Sequence, residues 1–227
     1  MISVVSVGAP TAVPRRWVWT VLVAVAATAA VMAVALTNQP YFDLLNRWVG
    51  GVDPLGRGAL YSSYLLLIGL AFVVRRPAAY GIRLGDTVAR WRLVTGAVAG
   101  MAALTAIVLV LLPTTPYADA SWLNEVVIVP VTEELVFRGV LITLVLAALS
   151  RLHSPSPAAI MAVSIGALAF GLGHAANIFT LPAGFVIAQV TYAILIGLVA
   201  GTVMVRTRSI VPAILVHAAV NAVVVAF

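Results

Sequence analysis

Cysteine is absent from the 227 residues, lysine is absent too, and charge of either sign is scarce, at 9% of the chain. The missing cysteine excludes disulfides, thiolate metal sites and a cysteine nucleophile together. The missing charge excludes a water-facing globule of this size. A soluble domain carries about 25% charged residues, whereas 63% of this chain is hydrophobic. Lipid is the solvent that such a surface fits. All thirteen basic residues are arginine, for a formal net charge of +6. A nucleic-acid partner would need them clustered beside a reading motif. They lie instead between apolar runs, as membrane topology marks do, so no nucleic-acid partner is expected.

A helix needs about 20 apolar residues to cross the hydrocarbon core. About seven runs approach that length, at 17–36, 60–74, 93–112, 126–149, 158–173, 184–205 and 210–227. The expected fold is therefore all-α, a polytopic transmembrane helix bundle of about seven spans, forming one integral membrane domain over residues 1–227. The first run follows Arg15 and Arg16 and exceeds the apolar stretch of about 7–15 residues in a signal peptide, so it reads as a retained anchor.

Arginine placement gives the topology. Arg15 and Arg16 precede the first span. Arg75, Arg76, Arg83, Arg90 and Arg92 lie between the second and third, Arg151 between the fourth and fifth, and Arg206 and Arg208 between the sixth and seventh. The alternate loops hold Arg47 and Arg57, offset by Asp43 and Asp53. This bias puts the protein in the cell membrane as a multi-pass protein with its N-terminus on the cytoplasmic side. In the first outer loop Phe42, Leu45, Trp48, Val49 and Val52 recur at near-helical spacing, which fits a short interfacial helix or an ordinary loop. Gly96/Gly100 and Gly197/Gly201 are G-x-x-x-G pairs that would let helices approach closely.

Ionisable groups inside a span cost about 2.5–3.5 kcal/mol each at the helix centre, so they mark function or pair with one another. Three groups stand out. The first is Glu133-Glu134-x-x-x-Arg138. Neighbours on a helix point about 100° apart, so the two glutamates cannot do the same job. Glu134 and Arg138, four apart, share a face and can neutralise each other, which leaves Glu133 free to face a cavity. The alternative is a buried ion-pair network that only fixes packing. The second group is Phe170-x-x-x-His174, where Phe170 lies one turn before the histidine and can wall a site. A single histidine at a helix end also fits a satisfied interfacial residue. The third is His217-x-x-x-Asn221, two hydrogen-bonding side chains on one face, which also fits a plain interhelical hydrogen bond. His153 lies in a Ser/Pro-rich loop and is expected to be solvated.

Together these residues supply one unpaired carboxylate, two histidines and an amide. Water-activated peptide hydrolysis needs a base for the water and donors for the oxyanion. Other protease chemistries lack their parts: there is no H-E-x-x-H, no G-x-S-x-G and no cysteine.

The ordered trio E-E-x-x-x-R, F-x-x-x-H and H-x-x-x-N on successive hydrophobic segments resembles the CAAX protease and bacteriocin-processing (CPBP, or Abi) family, over the protease-like region 124–227. The resemblance implies a helical-bundle intramembrane endopeptidase. It implies Glu133 as the base, His174 as the residue that helps position the water, His217 and Asn221 as oxyanion donors, and Glu134 and Arg138 as a supporting pair. It leaves the metal open. Zinc is a candidate cofactor, with His174, His217 and Glu133 as candidate ligands, and a glutamate mechanism without metal is the other course. The expected partners are the bilayer and a hydrophobic or lipidated peptide or protein substrate. Two other functions fit the same residues: a non-enzymatic peptide-binding or bacteriocin-immunity protein of the same fold, and an ion-coupled transporter. The transporter is disfavoured because neither paired repeats nor broken helices are visible.

Overall fold

A computed structural model of the protein describes residues 15–30, 33, 54–111, 122–179 and 181–227, with side chains from residue 62 onward in the helix that begins at residue 54. The segment carrying Phe42, Leu45, Trp48, Val49 and Val52 lies outside the described residues. Helices occupy all seven apolar runs. They are α1 (residues 15–30), α2 (Pro54–Val73), α3 (Trp91–Leu111), α4 (residues 122–149), α5 (Pro155–Gly173), α6 (Ala183–Thr207) and α7 (Val211–Ala226). Short 3-10 turns follow α2 at Pro77–Tyr80 and α5 at His174–Phe179.

Proline places several of the starts. Pro155 and Pro212 sit in the first turns of α5 and α7, where the missing N–H would have had no intrahelical partner anyway. α6 stops at Arg208, whose φ of 57° is left-handed and cannot continue a right-handed helix.

Fewer of these helices than seven meet the length and apolarity of a span within the described residues. Among the described residues, three helical stretches are long and apolar enough to cross a membrane by length and composition: Trp91–Leu111, Pro155–Phe179 and Ala183–Thr207. Two of the others, α4 and α7, fall short for physical reasons. α7 is 16 residues long. The α4 run is interrupted by Glu133, Glu134 and Arg138 and preceded by Glu125. The chain is nonetheless a multi-spanning membrane protein, with large apolar side chains such as Leu111, Ile160, Ile187 and Val110 exposed along these helices.

The centre of the bundle is the α5–α6 pair, built on small residues. Ala158, Ala162, Ala169 and Ala200 are fully buried. A Cβ on Gly197 would lie 2.8 Å from the Cα of Ala167, and one on Gly201 would lie 3.0 Å from Ile142. Here the G-x-x-x-G pair does what its spacing offers, letting backbones approach closely. The other pair does not: Gly96 and Gly100 face open space. Thr105 on α3 and Tyr192 on α6 share a hydrogen bond of 2.5 Å.

Two arginine-bearing connectors are tied together at one end of the bundle. Ile210 donates to the carbonyl of Gly81 at 3.0 Å and Asp86 to that of Thr207 at 2.8 Å. Arg83 Nε donates to the carbonyl of Arg208 at 3.1 Å. Gly85, at φ +53°, passes so close to the Thr207 carbonyl that no side chain would fit. The expected solvation of His153 is corrected. Its Nε2 lies 2.9 Å from Thr20 Oγ1, and its ring packs at 5.3 Å from Trp17, so this histidine fastens the α4–α5 loop to α1.

Candidate active site

Every charged side chain of the site hangs on α4, whose helical register shifts twice. A π segment spans Asn124–Ile128, a normal stretch follows at Val129–Glu134, and a second π segment spans Leu135–Ile142. Such shifts re-aim side chains and recur at functional sites. The normal stretch carries Glu133 and Glu134.

Glu134 and Arg138 are 0% and 1% exposed, Glu133 is 5% exposed and His217, facing them from α7, is 4% exposed. Glu134 Oε1 lies 3.0 Å from Arg138 Nη1, the pairing their spacing predicts. The contact is ionic rather than a directed hydrogen bond, since neither terminal nitrogen of Arg138 has a hydrogen-bond partner. The same Oε1 lies 2.9 Å from His217 Nδ1. A carboxylate paired with arginine only accepts, so Nδ1 is the donor and His217 turns Nε2 toward Glu133. That gap is 3.9 Å, beyond a direct hydrogen bond. Two adjacent glutamates thus address opposite ends of one imidazole.

Phe170 is the common wall. It is 1% exposed and meets Phe137 at 4.9 Å, His174 at 5.0 Å and His217 at 5.9 Å, each edge to face. The guanidinium of Arg138 sits 4.2 Å from its ring centre, an arrangement favourable for a buried cation with few hydrogen bonds. His174, half-buried at the end of α5, has Nδ1 3.0 Å from the Phe170 carbonyl. A carbonyl can only accept, so Nδ1 carries the hydrogen and Nε2 keeps its lone pair.

Asn221 is half-buried one turn beyond His217. Its Nδ2 donates at 2.8 Å to the backbone carbonyl of Glu125, and its second amide hydrogen is left over. Glu125 and its neighbour Asn124 were not singled out from the sequence. Asn124 Nδ2 donates to Glu125 Oε1 at 2.8 Å. A signal for Glu125 was present: an acid roughly two turns before Glu133, at the edge of an apolar run.

The structure therefore brings Glu133, Glu134, Arg138, Phe170, His174 and His217 around one ring and one imidazole, with Asn221 one turn on. A zinc set would need three donors around one point. Both histidines leave Nε2 free, as metal ligands do. Yet among the described residues no group of three His, Asp or Glu side chains converges to hold an ion. The donors described do not fit a resident metal.

Residues 115–223 match the family model of the Rce1-like type II CAAX prenyl endopeptidases. No curated protein and no solved structure shows significant similarity to the chain. The matched region takes in all three motifs, and its buried network of Glu133, Glu134 and His217 is consistent with glutamate-based catalysis. The chain thus carries a CAAX protease/Abi (Rce1-like) family domain over residues 115–223.

Proposed function

We propose that the protein cuts a peptide bond in a hydrophobic or lipid-associated peptide or protein with a water activated by Glu133. The observation that supports this reading is the shared imidazole: Glu134 holds His217 Nδ1 at 2.9 Å, and Glu133 lies beyond Nε2 at 3.9 Å. Glu134 has its charge answered by Arg138. Among the described residues Glu133 has no arginine partner, only His217 at 3.9 Å, and keeps its lone pairs for water.

In this reading Glu133 takes a proton from water as the oxygen attacks the scissile carbonyl, and later passes that proton to the leaving amine. His174, with the lone pair of Nε2 free, accepts the water's other hydrogen and fixes its direction. The oxyanion develops beside α7. There Asn221 offers its second amide hydrogen, and His217 Nε2 donates when it carries a proton. Glu134, held by Arg138, fixes which nitrogen of His217 faces the site. Such pre-placed donors act strongly where water is excluded.

The remaining features follow the same reading. The chain forms one membrane domain over residues 1–227 with about seven helices in the bilayer, the three long apolar ones fixing its depth. The N-terminus lies on the cytoplasmic side, as the arginine bias indicates. The substrate reaches the site through the membrane. Comparing wild type with Glu133→Gln and His174→Ala tests the reading: a peptidase loses turnover in both variants, whereas a peptide-binding or immunity protein keeps its protective effect in both.

A further inference from the structure

Asn221 owes its position to a backbone carbonyl that ought not to be free. In a regular α-helix the carbonyl of Glu125 would accept from the N–H of Val129. In the π segment Val129 instead donates to Asn124, five residues back. In that register the donor for Glu125 is residue 130, which is Pro130 and has no N–H. The carbonyl of Glu125 is thereby orphaned inside a helix, where an unpaired polar group is costly. Asn221 Nδ2 fills the vacancy at 2.8 Å from the next helix in the site.

We infer that Pro130 is a positioning residue for Asn221: by denying Glu125 a backbone partner, it keeps a carbonyl open that clamps one amide hydrogen of Asn221 and aims the other at the site. Pro130 is buried three residues before Glu133, without a polar side-chain atom of its own. Its effect on the reaction runs through the backbone alone. An ordinary residue at 130 would supply a donor in either register. In the π register its N–H meets Glu125 directly. In a regular helix it meets Val126, and Val129 returns to Glu125.

The part of this inference that concerns turnover rests on the peptidase reading, and the part that concerns geometry does not. The test is Pro130→Ala, with Pro130→Val as a second way of restoring the N–H. The full-length protein in detergent, labelled with 15N at asparagine, gives a side-chain amide signal for Asn221, assigned by its loss in Asn221→Ala. Both proline variants should move that signal toward the position of a solvated amide. An unmoved signal overturns the inference, whether or not the protein cleaves anything. On a peptide that the wild type cleaves, Pro130→Ala should lower kcat about 10–100-fold with KM little changed. The same change made in an Asn221→Ala background should have no further effect. Equal effects in both backgrounds, or a fall in melting temperature with kcat intact, would reduce Pro130 to a structural residue.

Discussion

Glu134 accepts a hydrogen bond from His217 across the α4–α7 interface at 2.9 Å, with the same oxygen 3.0 Å from Arg138. One fully buried carboxylate thus carries the stability of the cluster and the orientation of its imidazole. Removing one partner of a buried ion pair costs about 3–5 kcal/mol, because the other charge is left stranded. Glu134→Gln should therefore lower the melting temperature in detergent strongly. Arg138→Met should do so to a similar degree. The double variant Glu134→Leu/Arg138→Met should recover much of the loss, because it strands no charge and leaves only the His217 Nδ1–H without its acceptor. Additive losses in a thermal melt would show that the two residues act separately.

The two G-x-x-x-G pairs should respond oppositely to the same substitution. Gly197→Ala forces a methyl group to within 2.8 Å of the Ala167 backbone, and overpacking of that kind costs about 1–3 kcal/mol. Gly96→Ala adds a methyl group to open space and should be neutral or slightly stabilising, since alanine is the better helix former. Thermal melts of the two variants side by side decide this.

Phe170→Ala should damage both fold and turnover. The ring is buried against Phe137, both histidines and the Arg138 guanidinium. Losing such a side chain costs about 3–5 kcal/mol, and both imidazoles lose the wall that holds their planes. Phe170→Tyr, which keeps the ring, should retain most of the melting temperature.

Chelation should leave cleavage in place. The described His, Asp and Glu side chains form no three-membered group around one point, and His217 Nδ1 is committed to Glu134. Dialysis against a strong chelator, followed by turnover with and without added zinc, checks this. Loss on chelation with recovery on zinc would bring His174, His217 and Glu133 in as ligands.

Much of the fold could be read from the sequence because it is local. Apolar runs marked the seven helices, although α2 begins six residues before its run and the end of the first run lies outside the described residues, and the four-residue spacing of Glu134 and Arg138 marked their pairing. The motifs marked Glu133, Phe170, His174, His217 and Asn221 as neighbours. Distance along the chain hid the rest. Nothing in the period of either helix says that Glu134 rather than Glu133 takes His217 Nδ1, since that depends on how α4 and α7 are rotated against each other. The π register at Asn124–Ile128 breaks the regular period on which face assignments rest, and it moves the free carbonyl to Glu125. His153 looked like an ordinary loop residue because its partners, Thr20 and Trp17, lie far away in sequence on α1. Among the described residues three of the seven runs reach the length and apolarity of a span, and the charges gathered on α4 set that run apart from them.

In the proposed reaction Glu133 activates the water while Glu134 serves structure. The most direct measurement is cleavage of hydrophobic and lipidated peptides by detergent-purified wild type and Glu133→Gln, with products read by mass spectrometry and folding by thermal melt. Glu133→Gln should melt close to the wild-type temperature, since Glu133 has no arginine partner and lies 3.9 Å from His217, and its turnover should fall by about 10²–10⁴-fold, the contribution of a general base. Wild-type turnover in a well-folded Glu133→Gln protein would contradict that role of Glu133.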